Sequence, residues 1–565
     1  MSWLSSVVRG VRTAPPLLII ALLFTLVVHN LIPILYRDGW QFSMFLNGHD
    51  KPVALLTALI LALVFFPFRR YAWIESLLRW LAAHPVRVAV LMGLSLAFAS
   101  YFIYQKWPVT MDEYSPWFQA HVFASGSLVA QYPLDTLNYL FEKSYHSNFF
   151  VINWETGKVA SVYWPGFALL LTPFAFADVA WLCNPVLVAL SVITLHRLAI
   201  RLGFSVEQQG WIILLAVASP AFTLNGISFY SMPAHLLLNS LFALCLVRPT
   251  PRRFFMAGLI GGFALCLHNP LPHLAFALPW LVWYAFYGEE RLKRIALLLA
   301  GYLPFSLLLG LGWILLTRDV KSASHMQPLL DAAPVAAAQT KPFLASLAGY
   351  FQFFTLPDAR ILNMRIGGFF KLWLWAVPLL VILAIVAIRR AETIYLRLLA
   401  ASAVSVFLAY FFIPFSQGHG WGYRYFHPAW FTLPFLAVIA LRDRELGEAF
   451  SARLAVCALA SLLLITPVRA WQMGTFVSGH VAQFPLAKEH RTNAECELVF
   501  HNLGGFYGID MVENKPALKA CQLIFISRGY ERDMEFAERL APGGHAVARD
   551  AYGWIYRYPA ANKPE

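Results

Sequence analysis

Apolar runs of roughly 15 to 22 residues recur along almost the whole of this chain, against the roughly 20 that a membrane-spanning helix needs. Thirteen candidate spans lie between residues 15 and 468, beginning with 15–36, including 209–230, and ending with 453–468. Of the 565 residues 59% are hydrophobic and 13% charged, where a soluble domain carries about 25% charged residues. A chain of this length has too little interior to hide that excess, so lipid is the solvent for most of it. A soluble enzyme and a disordered scaffold are excluded. Six cysteines are too sparse for a disulfide framework. The net charge of +13 would suggest nucleic acid in a soluble protein. Here arginines marking one set of loops explain it, and no nucleic-acid partner is expected.

Those arginines set an orientation, because Lys and Arg concentrate in cytoplasmic loops. Arg9, Arg12, Arg69, Arg70, Arg79, Arg87, Arg197, Arg201, Arg248, Arg252, Arg253, Arg389, Arg390, Arg442 and Arg453 fall in one alternating set. The other set is 37–52, 105–161, 317–368, 415–427 and everything after 469, placed outside. The apolar stretch 162–178 breaks the alternation and is predicted to be re-entrant or interfacial, opened by Trp164-Pro165-Gly166. The first run reads as an anchor rather than a cleavable signal. The predicted fold is an all-α polytopic membrane protein with about 13 transmembrane helices and a small C-terminal α/β extracytoplasmic domain. In that domain strands are predicted at Glu497–His501, Gln522–Ser527 and Gly553–Tyr558, with a helix at Glu531–Leu540. Cys496 and Cys521 pair there or stay free thiols; the sequence leaves both open.

The first long outer loop, 105–161, carries Thr110-Met111-Asp112-Glu113-Tyr114 directly after a span. Adjacent carboxylates at a membrane surface are costly unless solvated or used. Thr110 and Asp112 also suit a plain helix cap. Tyr163-Trp164-Pro165-Gly166 follows, then Ser219-Pro220-Ala221-Phe222, Ser228-Phe229-Tyr230-Ser231-Met232-Pro233-Ala234-His235, and His268-Asn269-Pro270. Late in the chain comes Gly420-Trp421-Gly422-Tyr423-Arg424-Tyr425. Arg424 is the leading candidate for a phosphate, since Arg binds phosphate bidentately and glycines admit close backbone approach. Trp421, Tyr423 and Tyr425 could stack on a sugar or a prenyl chain, and the same residue types form an ordinary interfacial belt. Arg360, Arg365 and Lys371 are second choices for the phosphate.

This ordered series resembles the bacterial membrane glycosyltransferases of the C-type superfamily, most closely the protein mannosyltransferase and lipid A aminoarabinose transferase-like branch. The likeness runs from about 85 to 441. It implies a C-type glycosyltransferase fold for a transferase module over 85–468; the helices over 1–84 are an extension, because relatives usually place the acidic loop after the first helix, and a soluble domain follows over 469–565. It implies a bacterial inner (plasma) membrane protein, active on the periplasmic face, that moves a hexosyl or pentosyl unit from a polyprenyl-phosphate carrier to a lipid, glycan or protein acceptor. By family position Asp112 is the general base, with Glu113 a possible second carboxylate. One base on the sugar face opposite the leaving group predicts inversion. Tyr163 and Trp164 fall at the substrate.

Two departures from the family pattern stand out. His268 stands where relatives tend to carry Arg, and is either a donor-phosphate contact or a satisfied interfacial histidine. His235 stands where an acid is frequent, and is assigned to substrate binding. No Asp or Glu occurs from Gln209 to Ala243, so no metal ligand is assigned, although a divalent metal is possible in such a family. A non-enzymatic transporter or flippase of lipid-linked saccharide is the alternative, as is a polymerase- or ligase-like enzyme with lipid-linked donors. A transporter would show internal repeats and intramembrane carboxylates, and neither is seen. No nucleotide-binding glycine motif appears either.

Overall fold

The structure, a computed structural model, describes residues 16–65, 72–287, 289–321, 354–442, 444–487, 491–505 and 507–562. Arg9, Arg12, Arg69 and Arg70, and most of the outer loop 317–368, lie outside the described residues. The described chain is mostly helical with two small sheets. Six described helices are long and apolar enough to cross a membrane: Pro16–Leu35, Pro85–Phe102, Ala180–Arg201, Arg291–Val320, Ile394–Phe412 and Phe450–Val481. Other apolar runs form shorter helices, such as Met232–Leu246 and Leu271–Phe286.

The stretch expected as one span over 209–230 is broken. Val206–Val217 and Pro220–Ile227 meet at 72°, counting at most as a seventh, bent span. Pro220 has no N–H to give and its ring disfavours a helical Ser219, which is extended at φ −94°, ψ 120°. The freed Ser219 hydroxyl bonds the Leu215 carbonyl at 2.8 Å and accepts the Val377 N–H at 3.1 Å. This break carries the chain onward to Phe229 and Tyr230. The 162–178 stretch contains an 11-residue helix, Gly166–Phe176, about 16 Å long and too short to cross.

Arg201 donates to the carbonyls of Val247 and Arg248, and Arg453 to that of Val64. Gln105 Nε2 donates to Ser478 Oγ and Tyr36 to the Asn363 carbonyl. The amino-terminal helices are joined to the body by a fully buried charge cluster. Asp50 meets Lys371 at 2.7 Å, Arg469 at 2.9 Å and the indole N–H of Trp375 at 2.7 Å.

The boundary expected at 469 falls inside a helix, Thr466–Val481, because the apolar face continues past Arg469 into Met473 and Val477. The sheet beyond it has the order β5-β4-β7-β6, with β4 Glu495–His501, β5 Gln522–Ile526, β6 His545–Asp550 and β7 Gly553–Pro559. β4 and β5 are parallel and the other pairs antiparallel. β6 has no predicted counterpart, since its polar, mostly exposed His545–Asp550 sequence gives no apolar alternation. Cys496 and Cys521 form a disulfide at the β4–β5 edge. Parallel neighbours need a long crossover. Here it is residues 502–521, with a single 3-10 turn, Gly508–Asp510, among those described.

The acidic loop and this domain share one hydrophobic core. Met111, Tyr114, Phe118, Phe141 and Phe150 pack with Leu498, Phe500, Phe525, Phe536 and Trp554. Tyr139 stacks on Phe536 at 4.0 Å, and Arg528 pairs with Glu142 at 2.5 Å. A small sheet of β1 Ala130–Gln131, β2 Phe150–Ile152 and β3 Lys158–Ser161 stiffens the loop in the order β1-β3-β2.

Candidate active site

Asp112 and Glu113 open the helix Met111–Ala124, so they project about 100° apart and meet different surroundings. Asp112 keeps 29% of its side chain exposed, whereas Glu113 is fully buried. Asp112 Oδ1 accepts the Tyr163 hydroxyl and Oδ2 accepts Arg424 Nη2 at 2.9 Å. Burial pushes the Asp112 carboxyl up, but the Arg424 guanidinium and the Tyr163 hydroxyl outweigh it and hold the net value low.

Arg424 is folded back against its own loop. Its Nη1 donates to the carbonyls of Gln417 and His419 at 3.0 and 2.8 Å. Its guanidinium lies over the Tyr230 ring, 4.1 Å from the centroid, a favourable cation–π placement. Gly420 makes this fold possible: its φ is +147°, and a Cβ there would overlap the Arg424 side chain. Tyr230 arrives from the broken helix, and its hydroxyl lies 3.0 Å from Thr110 Oγ1.

Tyr163 packs on the His268 ring at 3.9 Å. The backbone fixes that contact: Trp164 N–H donates to the His268 carbonyl, Gly166 to Cys266 and Phe167 to Leu267. Burial holds His268 down at about 4, against the pull of Asp112, so the ring is neutral beside the ion pair. The Trp164 ring lies over Gly310.

Glu113 is occupied differently. Its carboxylate accepts the Phe229 and Val109 N–H groups at 2.8 and 2.9 Å and the Tyr104 hydroxyl at 3.0 Å. Burial still dominates and pushes it up to about 7. Trp421 donates to the same Tyr104 hydroxyl at 3.2 Å and is buried among Phe45, His419 and Phe476. Glu113 and Trp421 thus share the Tyr104 hydroxyl and both lie buried. Tyr423 is buried against Gly368 beside Arg365. Tyr425 stacks on Tyr410 at 4.2 Å, and its hydroxyl donates to the Ser416 carbonyl. His235 is buried, with neither ring nitrogen hydrogen-bonded among the described residues.

The second-choice cations are engaged elsewhere. Lys371 pairs with Asp50, Arg365 donates to the Ile413 and Phe415 carbonyls, and Arg360 lies over Trp40. Among the described residues no three His, Cys, Asp or Glu side chains converge as a metal site. Tyr104, Tyr230 and the crossover Tyr507–Asn514 also reach this site, the crossover from the C-terminal domain. Tyr230 belongs to the motif Ser228–His235. The crossover has no motif at all, and only its place between two parallel strands brings it here.

No family model and no curated protein matches the chain. It is similar to the crystal structure of ArnT from Cupriavidus metallidurans bound to undecaprenyl phosphate. That match is 12% identical with a TM-score of 0.49, over 85% of this chain and 99% of that one. The apo crystal structure of the same ArnT is similar at 12% identity and a TM-score of 0.44, over 84% and 99%.

Proposed function

We propose that this chain is a multi-pass membrane glycosyltransferase that takes a sugar from a polyprenyl-phosphate donor and passes it to an acceptor hydroxyl or amine on the outer, periplasmic face. The observation that carries the reading is the Asp112–Arg424 pair, brought together at 2.9 Å from positions 312 residues apart and left partly open to solvent. A carboxylate beside a guanidinium is what this transfer needs: a proton acceptor for one substrate and an anion receptor for the other.

In the resting site Asp112 occupies the guanidinium edge that a phosphate would take. A donor phosphate draws that edge of Arg424 to itself, and the freed Asp112 becomes more basic. The acceptor heteroatom then attacks the anomeric carbon while its proton passes to Asp112. The bond from anomeric carbon to phosphate oxygen breaks, and its electron pair leaves with the polyprenyl phosphate, held by Arg424. Attack from the Asp112 side, opposite the leaving phosphate, inverts the anomeric centre. Tyr163 holds Asp112 in place, and neutral His268 offers a hydrogen bond without a competing charge. Glu113 is a positioning residue: it ties the acid helix to Val109, Phe229 and Tyr104.

The test is transfer from sugar-labelled polyprenyl-phosphate donor to glycoconjugate in membranes carrying wild type or Asp112→Asn. Asn keeps the shape and loses the base, so transfer falls by about 100-fold or more at unchanged membrane insertion. An Asp112→Asn protein that transfers at the wild-type rate overturns the reading.

A further inference from the structure

The helix that carries Asp112 lacks the cap its sequence promises. Thr110 stands at the cap position with extended backbone, yet its side chain caps no N–H and turns to Tyr230 instead. The first N–H of the helix, that of Met111, is accepted at 3.0 Å by Asp510 Oδ1, from the β4–β5 crossover of the C-terminal domain. Four residues on, the same crossover grips the helix again. The Tyr114 hydroxyl donates to the Asn514 carbonyl at 2.7 Å and accepts the Asn514 N–H at 2.9 Å. Asn514 is itself fixed to β5, through Ile524, by a bond at each end of its amide. A third contact joins the crossover to the arginine loop, where the Tyr507 hydroxyl lies 3.2 Å from His419 Nδ1, and the His419 carbonyl holds Arg424.

We infer that the crossover Tyr507–Asn514 is a working part of the transfer site, with Asp510 the positioning residue that fixes the start of the Asp112 helix. The C-terminal domain thereby sets the distance between base and guanidinium. This rests on the proposed roles of Asp112 and Arg424.

Asp510 is well suited to hold rather than to react. It is buried, and Asp112 and Glu113 on the acid helix, Tyr145 in the acidic loop, and Tyr507 and Glu513 on its own crossover face it. Burial, with the negative charge of Asp112 and Glu113, pushes its carboxyl up to about 8. It therefore caps the helix as a neutral acid at neutral pH, adding no negative charge beside Asp112. An amide oxygen can do the same.

The experiment compares full-length wild type, Asp510→Ala and Asp510→Asn in nanodiscs, by transfer kinetics and by hydrogen exchange over residues 108–118. Asp510→Ala is expected to lower kcat by about tenfold or more, with the donor KM changed less than about twofold, and to speed exchange at the helix start. Asp510→Asn restores kcat to within about threefold of wild type and restores the protection, because its amide oxygen still accepts the Met111 N–H. Should Asp510→Ala fail to accumulate, Tyr114→Phe removes the second grip and is read the same way. Unchanged kcat and unchanged exchange in the alanine variant overturn the inference. So does an equal loss in Asp510→Asn. The transferase reading fails separately, if Asp112→Asn matches wild type, and the exchange comparison still decides whether the domain holds the helix.

Discussion

Replacing Arg424 by Ala tests the central pair from the other side. The guanidinium makes three hydrogen bonds, two to backbone carbonyls and one to Asp112, and lies over Tyr230. In catalysis its outer edge would meet developing phosphate charge. Removing one preorganised donor of that kind costs roughly 3–4 kcal/mol of transition-state stabilisation, a fall in kcat of about 100- to 1000-fold. The same change acts on Asp112. The Arg424 guanidinium is what holds the Asp112 carboxyl low against the upward push of burial. Asp112 must be ionised to act as base, so activity rises with pH through its pKa. Losing Arg424 therefore moves the acid limb of the residual pH–rate profile upward. Arg424→Lys keeps charge but not the fork, and falls between. The assay is sugar transfer in membranes from pH 4 to 9, scaled to inserted protein. An alanine variant with wild-type kcat, or with an acid limb that does not move, would refute the coupling of the two side chains.

Three further outcomes follow from the geometry. Gly420→Ala puts a Cβ into the Arg424 side chain at φ +147°, so it is expected to lower transfer about as far as Arg424→Lys while leaving insertion intact, and normal activity would sink this account of the loop. Glu113 has a folded pKa of about 7 against 4.5 unfolded, so the folded state binds more protons and its stability falls as pH rises from 4.5 through 7, by about 3 kcal/mol in all. In detergent melts wild type should lose stability relative to Glu113→Gln as pH rises across that window, and parallel curves would refute the raised value. Asp50→Asn strands two buried cations, Lys371 and Arg469, and should cost about 3–5 kcal/mol, read as lost thermostability of the purified protein. A melting point unchanged by that substitution would mean that the cluster contributes little to joining the amino-terminal helices.

Much of the architecture was legible from apolar periodicity. The strands predicted at 497–501, 522–527 and 553–558 and the helix at 531–540 form at 495–501, 522–526, 553–559 and 530–540, the strands marked by short apolar runs. The break at Pro220 was visible as a dipeptide but not as a turn, because prolines also sit inside spans when neighbours satisfy the freed backbone groups. β6 was not legible, being a polar edge strand held by its neighbour alone.

The sequence by itself determined the solvent, since so many apolar residues can be covered only by lipid, and it determined which rare charges deserved scrutiny. It picked out Asp112, Glu113 and Arg424 by type and place. Tertiary structure decided what each touches. Two adjacent acids on one helix point about 100° apart, so one dipeptide divides into a partly solvated carboxylate facing Arg424 and a buried one clasped by Val109, Phe229 and Tyr104. The cap for their helix comes from Asp510, 399 residues from the N–H it accepts. Such pairings leave no local trace, because a hydrogen bond depends on where two groups meet in space and the chain between them can be of any length.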